Sequence, residues 1–103
     1  MDQRWLLADH LPTQTMKFVA FYDMAAGALP NVMTHFPAHR ARLDEFHEKG
    51  LVIAAGPLGN PPEGAMAIFP TREAAEEFIA GDPFVLNGLV SSWRIVEWGA
   101  VFL

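Results

Sequence analysis

Cysteine is absent from the 103 residues. That removes disulfide cross-links, thiolate nucleophiles and cysteine-ligated zinc from the options. Positive charge is scarce: seven Lys and Arg stand against twelve Asp and Glu, for a net charge of −5. Nucleic acid and anionic membrane surfaces both call for clustered Lys and Arg, so neither is an expected partner. Long apolar runs are missing as well. No stretch approaches the roughly 20 residues of a membrane-spanning helix. The opening MDQRWLLADHLPTQT is too mixed in charge for a secretory signal. A cytoplasmic setting is therefore expected. The glycine-containing stretch GPLGNPPEG matches neither GxGxxG nor a Walker-type phosphate loop, and Ser91 and Ser92 lack a nucleophile-elbow context.

What is present is enough apolar material for one core: 51% of the chain is hydrophobic, at a length typical of one domain. Residues 1–15 are polar and without a clean period, and they read as an N-terminal extension to a domain spanning 16–103. Met16–Tyr22 (MKFVAFY) reads as a strand, apolar on both faces and so central in its sheet. Asp23–Asn31, with two Ala, a Gly and a Pro, reads as a loop. A helix is expected from Pro37, tolerated in a first turn, to Lys49, with Gly50 as its stop. Its inner stripe is His39, Leu43 and Phe46, with Arg40, Asp44, His47 and Glu48 on the wet side.

Leu51–Gly56 reads as a second strand and Gly64–Phe69 as a third, joined as a hairpin through the turn-rich PLGNPPE. Thr71 is placed to cap a second helix whose buried face is Ala74, Ala75, Phe78 and Ile79, ending at Gly81. Asp82-Pro83-Phe84 opens a turn. Leu89–Trp98 reads as the last strand, with Leu89, Ser91, Trp93 and Ile95 alternating against Val90, Ser92, Arg94 and Val96. The order β-α-β-β-α-β is the ferredoxin-like α+β plan, a four-stranded antiparallel sheet with two helices on one face. The other sheet face would be a large apolar patch if bare. A homodimer through that open face is the simplest way to cover it, and the apolar tail GAVFL is expected to pack on the partner subunit.

Two residues stand out chemically. His39 lies on an apolar helical stripe, where it is either a packed core residue or a general acid–base. Asp82 before Pro83 is either an ordinary N-cap or a carboxylate that holds the His39 ring and fixes its tautomer. The fold lays both at ends of neighbouring helices, so a meeting is expected. His35, His39 and His47 suggest a metal site only weakly: Pro37 interrupts their spacing and neither HExxH nor a carboxylate triad accompanies them. No metal and no organic cofactor is expected. Trp93 and Trp98 fit either a pocket wall or the core and interface. Arg40 and Arg42 fit either an acidic ligand or a solvated helix face.

From Met16 onward the chain resembles the YCII-related (YciI-like) family. The resemblance rests on MKFVAFY, on PAHRARLDEFHEKGLVIAAGPL and on TREAAEEFIAGDPFVLNGLVSSWRIVEW. It places a helix-borne His at His39, a Gly-Pro closing the second strand at Gly56-Pro57, and Asp-Pro-Phe at Asp82-Pro83-Phe84. Gly88 and the terminal Trp98 complete the pattern. The resemblance implies a dimeric α+β barrel protein with His39 and Asp82 as its catalytic pair. It also implies a cofactor-independent lyase or isomerase, since a member of the family dehydrochlorinates a chlorinated hydroxyquinol. Members often carry Arg where this chain has Phe36. Phe36, Arg40, Pro57, Phe84 and Trp93 are then the candidate contacts to a small cyclic or aromatic ligand. The alternative from another class is a non-catalytic module that binds a small molecule or assembles with itself.

Overall fold

The structure, a computed structural model, describes residues 16–103; the expected N-terminal extension at 1–15 lies outside them. The first strand, β1, runs Met16–Met24. Alternate side chains divide between its two faces: Ala20 and Tyr22 join the main core, while Phe21 turns away and lies under the Arg94 guanidinium.

The first helix, α1, covers Leu29–Glu48, eight residues earlier than the expected start at Pro37. The stretch taken as a loop is mostly strand end and helix start, with only a short turn at Gly27 between them. Pro30 is the first-turn proline, and Pro37 sits inside the helix. A proline there frees the carbonyl four residues back, that of Met33. Met33 is 76% exposed, so water can serve that carbonyl. The helix stops where the sequence says it should. Gly50 adopts φ +72° and donates to the His47 carbonyl, while Leu51 donates to that of Phe46, the paired bonds of a glycine-capped end.

β2 spans Ala54–Leu58 and β3 Gly64–Phe69. The expected second strand, Leu51–Gly56, is thus displaced toward the C-terminus and includes Pro57. β2 is an edge strand, and an edge tolerates a residue with no N–H to give the ladder. The second helix, α2, spans Arg72–Gly81, and the Thr71 side chain caps it by accepting from the Ala74 amide at 3.1 Å. The expected turn after it is a four-residue helix, α3, at Pro83–Leu86. β4 runs Val90–Gly99.

The strands form one antiparallel sheet in the order β2-β3-β1-β4, the ferredoxin-like α+β arrangement read from the sequence. Both long helices pack against one face. Phe46 of α1 and Ala74, Ala75, Phe78 and Ile79 of α2 meet Ala20, Tyr22 and Phe69 of the sheet. Strand alternation in β4 differs from expectation. Asp23 pairs with Ser92 but Met24 with Val90, so the register slips at Ser91. A bulge of this kind resets the two-residue period. Val90 and Ile95, expected on opposite faces, therefore both pack against the helix-side core. The far face carries Phe21, Met66, Ile68, Arg94 and Val96, with the Arg94 guanidinium 4.6 Å from the Phe21 ring centroid. Among the described residues no helix is long and apolar enough to cross a membrane.

Candidate active site

Asp82 occupies the joint between two helices. It ends α2 and caps α3 from an extended backbone (φ −69°, ψ 123°). The Asp-Pro cap expected from sequence forms: the Phe84 amide donates to Oδ1 at 3.1 Å. The same oxygen meets Nδ1 of His39 at 2.8 Å. The other oxygen accepts the Tyr22 hydroxyl at 2.8 Å. The carboxyl group is fully enclosed, with an exposure of 0%. A buried carboxylate is tolerated only when its lone pairs are well served, and here three elements supply a donor each: α1, β1 and α3.

These contacts fix the chemistry of the ring. A carboxylate only accepts hydrogen bonds, so beside an ionised Asp82 the Nδ1 atom carries the proton and Nε2 keeps the lone pair. Among the described residues no buried side-chain nitrogen or oxygen lacks a partner. Nε2 therefore reaches accessible space, which is the cavity His39 helps to line. Three aromatic rings hold the imidazole. Phe84 stacks on it at 3.9 Å between centroids and 8° between planes, Phe78 stands edge-on at 6.1 Å, and Phe36 lies tilted at 6.2 Å.

The cavity has a volume of about 630 Å³ and lies between α1, from Val32 to His47, and the sheet, bordered by β1, β2, β3 and the start of β4. Of the proposed catalytic pair and ligand contacts, Phe36, His39, Arg40, Pro57 and Phe84 border it, and His47 does as well. Asp82 stands behind His39. Trp93 does not border it. Trp93 pairs with Tyr22 in the β1–β4 register and is 48% exposed; on β4 it is Val90, at the strand's start, that borders the cavity. Arg40 makes an exposed pair with Asp44 one turn on, Nε to Oδ1 at 3.0 Å. No group of three or more His, Asp or Glu side chains placed to share a metal ion is gathered among the described residues.

Two residues matter here in roles that the sequence did not suggest: Tyr22, and Arg42, which fitted an acidic ligand or a solvated helix face and does neither. Tyr22 is the chain's one tyrosine and holds Asp82 from below. Burial pushes its hydroxyl well above the usual tyrosine range, and the Asp82 charge and hydrogen bond push it further. It stays a neutral donor. A tyrosine in an otherwise apolar strand was the available signal, because a buried phenol needs a partner. Arg42 is the other. It donates from Nε to the Phe78 carbonyl at 3.1 Å and from Nη2 to that of Glu77 at 2.7 Å. A cation on the last carbonyls of a helix favours that end, so Arg42 clips α1 to α2 one turn from His39. Gly81 leaves it room: a β-carbon there would stand 2.5 Å from Nη2.

The YCII-related domain matches residues 16–99. The chain belongs to the YCII-related family. Proteins named YciI from Escherichia coli O6:H1 and Shigella flexneri are each 30% identical to it over 98 residues, covering 84% of this chain and all of each relative. Among solved structures, 5-chloro-2-hydroxyhydroquinone dehydrochlorinase from Burkholderia phenoliruptrix AC1100, in complex with 2,5-dihydroxybenzoquinone, superposes with a TM-score of 0.67. It is 21% identical, over 80% of this chain and 92% of that one. An antibiotic biosynthesis monooxygenase aligns with a TM-score of 0.55 at 20% identity, over 84% of this chain and 99% of that one. At such identities these neighbours speak for the shared fold, which hosts more than one chemistry.

Proposed function

We propose that this YCII-related protein is a cofactor-independent lyase or isomerase that moves a proton on a small cyclic or aromatic substrate through His39. The observation that carries the reading is the Nδ1 contact to a fully buried Asp82 at 2.8 Å with Nε2 opening on the cavity. Asp82 orients the ring and stabilises it when it gains a proton. Nε2 takes a proton from the substrate, the electron pair left behind forms a double bond, and the leaving anion departs with its own bond pair. Acid–base help of this kind is worth about 10² to 10⁴ in rate. The apolar walls, with Phe36 and Phe84 beside the imidazole, suit a planar ring. Arg40 at the rim is the candidate for an acidic substituent.

The dehydrochlorinase likeness supports an elimination, and its bound dihydroxybenzoquinone suggests the first compounds to try. The test is a panel of hydroxyquinones, chlorinated hydroxyquinols, phenols and lactones, followed by NMR shifts at His39 and Phe84 and by product release. Binding in the cavity with turnover abolished in His39→Gln supports the reading. A panel that never touches the cavity, or turnover unaffected in His39→Gln, overturns it.

A second reading rests on the cap itself. Asp82 accepts the Phe84 amide, which is a complete structural reason for an Asp-Pro, and His39 packs among aromatic rings. On that reading the cavity binds a small molecule without turning it over, and saturation with no product distinguishes it. We further propose that the protein works as a homodimer through the far sheet face, where Phe21, Met66, Arg94 and Val96 lie and against which neither described long helix packs. A cytoplasmic setting suits a cysteine-free chain, which gains nothing from an oxidising compartment.

A further inference from the structure

We propose that Tyr22 is a positioning residue for the His39–Asp82 pair, acting on the imidazole through the second oxygen of the carboxylate. The inference rests on the acid–base reading of His39 and adds a third member to it. Oδ1 of Asp82 is shared between the His39 ring and the Phe84 amide. Those two contacts hold Oδ1 but give Oδ2 no donor. The Tyr22 hydroxyl on Oδ2 at 2.8 Å supplies one, so that a turn of the carboxylate breaks bonds at both oxygens. The three donors come from β1, α1 and the start of α3, so the carboxylate plane is set by three independently packed elements.

Tyr22 itself is held firmly. Its ring belongs to the main core, 7% exposed, and its backbone lies mid-strand between β3 and β4, opposite Ala65 and Trp93. Its hydroxyl has no second hydrogen-bond partner among the described residues; the bond to Asp82 is the one it makes. The phenol also borders the cavity beside His39, so the whole chain from Oη through the carboxylate to Nε2 ends at the ligand space. Loss of the hydroxyl would leave Oδ2 without a donor in a fully enclosed site. The carboxylate would then turn toward whatever donors remain, and the Nδ1 bond would lengthen or bend.

The test reads the His39 Nδ1–H proton by NMR in the full chain. In the wild-type protein this proton should be resolved and slow to exchange with water. In Tyr22→Phe its exchange should be faster by about tenfold, the order expected when one buried hydrogen bond is removed from a network. A second measurement avoids any loss of fold. Because the chain has one tyrosine, uniform labelling with fluorotyrosine alters Tyr22 alone. The more acidic phenol binds Oδ2 harder and draws charge from the carboxylate, so the Nδ1–H resonance should move upfield. An unmoved resonance together with unchanged exchange in Tyr22→Phe would mean that Tyr22 only packs, and would overturn the inference while leaving the pair intact. Absence of a protected Nδ1–H in the wild-type protein would instead overturn the pair itself.

Discussion

Nδ1 of His39 and Oδ1 of Asp82 lie 2.8 Å apart across 43 positions of sequence. The contact joins the middle of α1 to the joint between α2 and α3. Removing the carboxylate strands two buried donors and one part-buried one at once. Asp82→Ala is expected to destabilise the protein by about 3–5 kcal/mol, the usual cost of breaking a buried charged network from one side. Urea unfolding measures it, and a loss below about 1 kcal/mol would mean that water replaces the carboxylate without difficulty.

Tyr22 gives a pH signature. Its native acidity is shifted upward by burial first and by Asp82 second. The raised value means that the phenol adds full stability below the ordinary tyrosine value of 10.0 and loses it progressively above, as the unfolded chain ionises and the folded chain does not. The tyrosinate absorbance reports this residue alone. Native protein should show no tyrosinate through pH 10.0, whereas urea-unfolded protein titrates normally. A native protein that titrates like the unfolded chain would place the phenol in water.

Gly81 and Arg42 form a coupled pair. Alanine in place of a helical glycine ordinarily stabilises by about 0.5–1 kcal/mol. Here the new β-carbon would meet the guanidinium at 2.5 to 2.9 Å, and that group is bound to the Glu77 and Phe78 carbonyls. Gly81→Ala should therefore cost about 1–3 kcal/mol in the wild-type background. In Arg42→Ala it should be neutral or favourable. Thermal unfolding of the two singles and the double completes the cycle, and simple additivity would contradict the clash.

Val96 tests the open face. It is 40% exposed there and pairs with Val19 on β1. The dimer proposal expects Val96→Asp to sediment as a monomer at concentrations where the wild-type protein sediments as a dimer. A wild-type monomer across the micromolar range would contradict it.

The fold was legible because its signals are local and agree with one another. Gly50 marks a helix end, Thr71 a helix start, and Gly64–Phe69 a strand bounded on both sides. Errors fell where a strong local signal has two meanings. Pro37 read as a helix start although Pro30 already filled that role, because a proline inside a helix is tolerated where the freed carbonyl faces water. Pro57 read as a strand end because nothing local marks β2 as an edge. The bulge at Ser91 has no composition of its own and reversed the face assigned to Val90. At the site, His39 and Asp82 were visible as residue types with two explanations each. Their meeting, the hold of Tyr22 from β1, and the diversion of Arg42 to helix carbonyls are long-range facts set by strand order. Trp93 lies outside the cavity lining although Val90 on the same strand borders it, a difference along β4 that alternation alone does not show.

The most direct measurement is the long-range proton–nitrogen NMR spectrum of His39, recorded where the ring is neutral. The account predicts the proton on Nδ1 and the lone pair on Nε2, with that single tautomer lost in Asp82→Asn. A wild-type ring protonated on Nε2 would turn its lone pair toward Asp82, leave no base facing the cavity, and contradict the assignment of His39 as the proton-moving group.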